Sequence, residues 1–527
     1  MNQHNDEGLV QHLAKKGIDD KMVFGHPAGL LVLFFTEMWE RFSYYGMRAL
    51  LTVFLVSEIA KGGWGWNNEE ALSLYKWYTT LVYFTPLIGG ILADKLTGYK
   101  KAILIGAFVM TLGHASMALE GISENFFYLG LAFMVLGNGM FKPNISSMVG
   151  QLYPDSSAKK DAGYTIFYMG INAGAFLGSL LCGYIGEKVG WHYGFGLAGV
   201  FMFFGMLQFY FGQRIFGVVG DKPGHQIPLE TEVSEIIEEE VTPNHVVRDR
   251  LIVAGVLMVA SILFFFAFEQ AGGSMTIFAK DYTQRILSGS AATSFKWIDA
   301  LLTLMPIVIV TYVLISLARK IVRKYPLTIF FTMLSFASIA VLGFWKINNE
   351  FNSEATEVTV SWFQILNAFF IVTCASMFSK LWEKVWNPSG PIKFALGLVL
   401  VALGFVAMAY GSRDIPQGAL TASVSMLWLV LAYFFHTMGE LCISPVGLSY
   451  ISKLSPKNLV GLIFGFWFMA TAIASYLAGW LGGYIDQIAN AYSISIFFLI
   501  IASLPIIVAI LLVMFNPMLK RMMHGIK

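Results

Sequence analysis

Fourteen apolar runs, each near or above the ~20 residues that carry a helix across a bilayer, divide this chain of 527 residues. They lie near 28–57, 71–93, 102–119, 126–152, 162–186, 193–214, 250–279, 297–318, 326–345, 359–383, 391–410, 422–452, 458–486 and 492–515. In hydrocarbon each backbone N–H and C=O must be satisfied by the protein itself, so runs of this length and number fold as an all-α polytopic membrane protein. The lipid bilayer is therefore the first partner the chain requires. With 13% charged residues and a formal net charge of +2, the composition does not point to nucleic acid.

The charges collect between the runs and set an orientation. With the N-terminus inside, the inside connections hold Lys95, Lys100 and Lys101; Lys159 and Lys160; Arg319, Lys320, Arg323 and Lys324; Lys384; Lys453 and Lys457; and Lys520 and Arg521. That is the positive-inside rule. The outside connections, such as EGISEN at 120–125 and NNEFNSEATE at 348–357, are acidic or nearly neutral. Both termini are expected in the cytoplasm, 1–27 as an uncleaved segment without an apolar signal core and 516–527 as a tail. The polar stretch 215–249, with its run LETEVSEIIEEE, reads as a solvated cytoplasmic linker or a short amphipathic helix between bundles at 28–214 and 250–515. Cys182, Cys374 and Cys442 lie inside apolar runs without paired spacing, so neither a disulfide framework nor a zinc site is expected.

The two bundles carry traces of a repeat. Gly137, Pro143, Ser147 and Pro154 share their spacing with Gly439, Pro445, Ser449 and Pro456. Phe167, Tyr168 and the run Gly183, Tyr184, Ile185 recur 300 positions on as Trp467, Phe468 and Gly483, Tyr484, Ile485. Two six-helix halves then leave the spans at 297–318 and 326–345 as an additional hairpin, 297–345, with a basic inner turn RKIVRKYP. Proline-interrupted helices at matching positions of two halves point to a central binding site. These two carry Lys142 beside Pro143 and Glu440 near Pro445.

The first span places four ionisable residues in hydrocarbon, in TEMWERFSYYGMRALL at 36–51. At 100° per residue Glu40, Arg41, Tyr44 and Arg48 all fall within about 60° of Glu37, with Tyr45 at the edge of the stripe. Glu37 and Arg41 have the i,i+4 spacing and order that favour an ion pair. Lys142, Glu269 and Glu440 bring the intramembrane ionisable residues to seven. At ~2.5–3.5 kcal/mol each, they would cost roughly 20 kcal/mol unless they pair or meet water, so a buried aqueous cavity is expected. Four glutamates against three bases leave one carboxylate without a cation, the minimum equipment for taking up a proton. Static ion pairs gluing helices together are the competing account.

Other polar residues carry less. His436 and Glu440 are spaced i,i+4 without a third metal ligand, and His114 stands alone, so both histidines read as packed side chains. Asn172 and Asn367 suit interhelical hydrogen bonds or a solute equally. Tyr78 and Trp467 suit packing or the lining of a cavity. An enzyme would need a motif such as HExxH or GxSxG, and none is present. A passive channel fits paired opposite charges in two pseudo-symmetric halves less well than a moving gate does.

EMWERFSYYGMRALL resembles the ExxER-x-x-YYG signature of the proton-coupled oligopeptide transporters, within the major facilitator superfamily. GGILADKLTGYKKAI at 89–103, GNGMFKPNISSMVG at 137–150, FYMGINAGAFLG at 167–178 and GELCISPVGLSYISKLSP at 439–456 resemble further family segments, in family order. The resemblance implies two six-helix bundles plus a hairpin and proton-driven import of di- and tripeptides by a bacterial inner-membrane monomer, with the proton as coupling ion and no other cofactor. It implies that Arg41 and Lys142 face the peptide carboxylate and that Glu440, Asn172 and Asn367 hold the ammonium. Tyr44, Tyr45, Tyr78, Ser444 and Trp467 would line the pocket. Arg48 and Glu269 would form a switchable pair between the halves, with Glu269, Glu37 and Glu40 as proton carriers. The same fold moving nitrate or a peptide-like compound is the alternative. Two departures stand out: the hairpin follows the seventh span rather than the sixth, and Ala368 stands where the family has proline.

Overall fold

The computed structural model of the chain describes residues 2–154, 157, 159–222, 243–456 and 459–526. The acidic run LETEVSEIIEEE, at 229–240, lies outside the described residues. Fourteen long helices follow in order: α1 Ala28–Val56, α2 Asn68–Leu92, α3 Tyr99–Met117, α4 Glu124–Gln151, α5 Lys159–Lys188, α6 Trp191–Gly212, α7 Asn244–Phe268, α8 Gly289–Ile321, α9 Pro326–Asn352, α10 Ile365–Lys380, α11 Gly390–Gly411, α12 Met426–Leu454, α13 Val460–Gly482 and α14 Ile494–Met522. Ten of them are long and apolar enough by composition to cross a membrane. The remaining four are α1 to α4.

Three spans depart from their expected outline. The seventh is broken: after α7 comes a tight turn at Glu269–Gly272, then a short helix at Ser274–Asp281. Two consecutive glycines, Gly272 and Gly273, weaken the helix there, and carbonyls at the break accept from side chains instead, Gly272 O from Thr52 Oγ1 at 2.7 Å and Ala271 O from Tyr433 Oη at 3.3 Å. The tenth span opens with a 3₁₀ turn at Val360–Gln364. The twelfth starts later than expected, at Met426, because Val424–Ser425 pairs with Thr283–Gln284 as a short parallel ribbon.

By packing the chain forms two compact units, Met1–Leu50 with Thr85–Glu230 and Ile286–Ile365, and Leu51–Phe84 with Thr231–Arg285 and Leu366–Lys527. Within the first, α1 is buried against α5 at glycines where a side chain has no room. A Cβ on Gly46 would come 2.7 Å from Cys182 Sγ, and one on Gly178 would strike the Phe42 backbone. The hairpin α8–α9 packs on this unit. Phe331 stacks on Phe211 of α6 at 5.6 Å, and Phe336 meets Trp39 of α1 at 5.2 Å. Its two ends are drawn together by the antiparallel pairing of Ile286–Leu287 with Thr356–Glu357. Inside it, Lys346 and Asp299 form a buried ion pair, Trp362 Nε1 donates to Asp299 Oδ1 at 3.1 Å, and the Lys346 ammonium lies 5.2 Å from the Tyr184 ring. At the turn between α8 and α9 Asp19 accepts hydrogen bonds from Lys324 at 2.6 Å and Tyr325 at 3.1 Å.

Within the second unit α7 packs among α11 to α14. The repeat read from glycine and proline spacing has the same geometry in each unit taken separately. A Cβ on Gly137 of α4 would lie 2.7 Å from the Gly106 carbonyl of α3, and one on Gly439 of α12 would lie 2.7 Å from the Gly397 carbonyl of α11. Pro143 and Pro445 sit inside their helices as expected.

Candidate functional site

The expected i,i+4 pair on α1 forms: Arg41 Nε stands 3.0 Å from Glu37 Oε1, and the same guanidinium is paired with Glu40. All three side chains are buried. Asn138 Nδ2 of α4 donates to Glu40 Oε1 at 2.9 Å, and Lys142, one turn further along α4, is within electrostatic reach of both carboxylates. The Arg41 guanidinium lies 5.3 Å from the centre of the Tyr44 ring, whose edge meets Tyr45 at 5.1 Å. The backbone of α5 comes close enough at Gly174 that a Cβ there would touch Arg41 Cβ at 2.9 Å, so a glycine is what lets the arginine lie between α1 and α5. Arg41 Nη2 and Glu37 Oε2 have no hydrogen-bond partner among the described residues although both are buried. Two polar atoms left unmet at this depth are costly unless a solute or water completes them. Asn172, also in this unit, gives its amide N–H to Tyr168 O at 2.9 Å on its own helix, and Arg48 is buried further along α1.

The second unit holds a different set. Asn367 Nδ2 of α10 donates to Glu440 Oε2 of α12 at 2.8 Å and to Thr437 Oγ1 at 3.2 Å. Glu269, at the broken turn after α7, accepts from Tyr83 Oη of α2 at 3.3 Å and is near enough to Glu440 for their charges to repel. Trp467 of α13 stands on Gly447 of α12, where any side chain would collide with its ring, and Tyr78 is buried in the same unit. Ser444 is half-buried one turn beyond Glu440. His436 packs its ring on Phe405 at 4.5 Å, in keeping with a packed histidine.

Asn138, Thr437 and Tyr83 are site residues that sequence reasoning missed. For Asn138 the signal was present. The offset that carries Gly137 to Gly439 carries Asn138 to Glu440 and Lys142 to Ser444, so the repeat places an amide in one half where it places a carboxylate in the other. Thr437 and Tyr83 have no such mark.

Fourteen long helices, ten of them apolar enough to span a membrane, proline-interrupted helices in corresponding places and buried acid–base clusters define a membrane carrier of small solutes. The chain belongs to the POT family, whose model matches residues 100–237 and 346–497. It shares the major facilitator fold, with two six-helix bundles and the additional hairpin. Among curated proteins it is 32% identical to an uncharacterized transporter, YclF, of Bacillus subtilis, over 99% of each chain. It is 31% identical to the peptide transporter YePEPT of Yersinia enterocolitica, over 95% of this chain and 96% of that one. Among solved structures, a peptide transporter POT in complex with sulfate is 30% identical over 98% of this chain and 99% of that chain, with a TM-score of 0.75. A POT family transporter in complex with 5-aminolevulinic acid is 25% identical over 96% and 99%, also with a TM-score of 0.75.

Proposed function

We propose that this protein imports di- and tripeptides together with protons by alternating access, as a monomer in a bacterial inner membrane with both termini in the cytoplasm. The observation that carries the reading is the Arg41 cluster: a buried guanidinium holding two glutamates while one of its nitrogens is left unmet. A peptide carboxylate supplies the missing acceptor, in the planar geometry that arginine recognises best. Lys142 adds a second positive charge to this wall. Glu440, oriented by Asn367, supplies the negative charge for the peptide ammonium, with Asn172 as a further polar contact. A zwitterion is thereby oriented by its two ends, which all short peptides share, while the side chains stay free to vary. Tyr44, Tyr45, Tyr78, Ser444 and Trp467 form the lining that accommodates them.

The proton enters through the carboxylates. Glu37 and Glu40 share one arginine, so a proton on either relieves the other. Glu269 and Glu440 repel each other, so a proton on Glu269 does the same in the second unit. Arg48 and Glu269 take the gating role, because protonating Glu269 removes the charge that an arginine would hold. At a membrane potential of about 100 mV each inward proton contributes ~2.3 kcal/mol, enough for roughly fifty-fold accumulation of a neutral solute. The proton is the coupling ion, and no other cofactor is assigned.

Proteoliposomes test this directly. An inward proton gradient is expected to drive uptake of labelled dialanine, with unlabelled di- and tripeptides competing and nitrate not competing. Failure of every peptide to compete would remove the peptide assignment, and uptake indifferent to pH and voltage would remove the coupling. The complex of a POT family relative with 5-aminolevulinic acid, an amino acid whose charged ends are separated by a short chain, supports a peptide-like compound as the second candidate.

A further inference from the structure

We propose that Glu187 is a positioning residue that clamps the 3₁₀ turn leading into α10, and that this clamp sets how readily the outer side opens; the role in transport rests on the peptide-import reading above. Glu187, at the end of α5, accepts from the Val360 amide at 2.8 Å, the Ser361 amide at 2.8 Å and the Ser361 hydroxyl at 2.6 Å. The first N–H groups of a helix have no acceptor within it, and an anion there is favoured by the aligned backbone dipoles. Here the acceptor comes from another helix and grips two successive amides with its two oxygens, a charge-assisted arrangement.

The fit extends one turn back. Gly183 faces Ser361 so closely that a Cβ at position 183 would overlap the serine hydroxyl. Lys188 pairs with Glu357 at 3.0 Å beside it, and Trp362, the next residue after the clamped pair, is tied to Asp299. Asn367 lies six residues beyond Ser361, in α10 itself. If α10 moves as one rod with Asn367 and Glu440, Val360 and Ser361 must leave Glu187. On the topology proposed above, this end of α5 and the start of α10 face outward. Releasing them is thus a step of outward opening.

Two chemically unlike variants test the clamp. Glu187→Gln keeps the shape and removes the charge, whereas Gly183→Ala keeps the charge and inserts a methyl group as a wedge. In the purified full-length protein, hydrogen–deuterium exchange of segment 356–365 is expected to quicken about tenfold in both. In proteoliposomes KM for externally applied dialanine is expected to fall by up to about tenfold, as the competent state becomes more populated, while kcat does not rise. Unchanged exchange in Glu187→Gln overturns the clamp. Faster exchange with KM unchanged or raised in both variants overturns its part in transport. If wild-type protein takes up no peptide, the import reading fails while the exchange result still decides the clamp.

Discussion

Asn367 Nδ2 of α10 donates a hydrogen bond to Glu440 Oε2 across 2.8 Å, tying α10 to the proline-interrupted helix α12. A neutral amide orients the carboxylate without cancelling its charge. Glu440 therefore remains able to attract an ammonium group.

Replacing either partner separates these roles. Glu440→Gln is expected to abolish gradient-driven dialanine uptake while the protein stays folded, since glutamine keeps the volume and can still accept from Asn367. Asn367→Ala leaves the charge but frees its rotamers, and the lost hydrogen bond to a charged group, worth about 1.5–3 kcal/mol, should raise KM roughly 10- to 100-fold. Initial-rate uptake against peptide concentration distinguishes the two.

Arg41→Lys tests the planar fork. Lysine keeps the positive charge but offers a point charge where the guanidinium meets two carboxylates, so Glu37 and Glu40 are no longer both held. Uptake should fall at least tenfold, and removing an arginine from a buried pair should cost about 3–5 kcal/mol when the replacement is Met. Thermal unfolding in detergent measures the second effect and proteoliposome uptake the first.

The buried Asp299–Lys346 pair in the hairpin should show the asymmetry of buried ions. Lys346→Met alone leaves an uncompensated carboxylate, at a cost of about 3–5 kcal/mol. The double variant Asp299→Asn, Lys346→Met should recover most of that loss, because asparagine still accepts from the Trp362 indole. A double-mutant cycle on unfolding midpoints reads the coupling.

Asp19 gives a pH-dependent contribution at the turn between α8 and α9. Burial alone would raise its pKa, but hydrogen bonds from Lys324, the Lys21 amide and Tyr325 outweigh burial and hold it below the usual carboxylate value. A lowered folded pKa means the contribution is fully present above the unfolded value of about 3.9 and is lost as pH falls through the folded one. With Lys324 largely exposed the pair is worth about 1 kcal/mol or less. The difference in unfolding midpoint between wild type and Asp19→Asn should be constant from pH 7 to pH 5 and close below the unfolded value.

Most of the helix plan was legible because hydrocarbon permits so few backbone solutions, and the Glu37–Arg41 pair was legible because one helix fixes both residues. The break after α7 was not, since glycine pairs in membrane helices are often tolerated and only the tertiary fit decides. Nor was the residence of α8 and α9 on the first unit, which depends on the stacking of Phe331 on Phe211 and the reach of Asp19 to Lys324, contacts between residues far apart in sequence. Asn138 stands between these cases. The repeat pointed to it, but an asparagine in a membrane helix carries no charge cost that demands an explanation, as Lys142 four residues later does.

The first unit draws its last piece from 286–365, long after the residues of α1 to α6 have been made. At about 5–20 residues per second, a ribosome takes roughly 20–70 s to reach that point. Until then the faces of α5 and α6 that the hairpin covers stay open to lipid or to the insertion machinery. Biogenesis of this protein is therefore not a matter of one finished half followed by another: the earliest-made helices wait for late-made ones, and a truncation between α7 and α8 releases neither half complete.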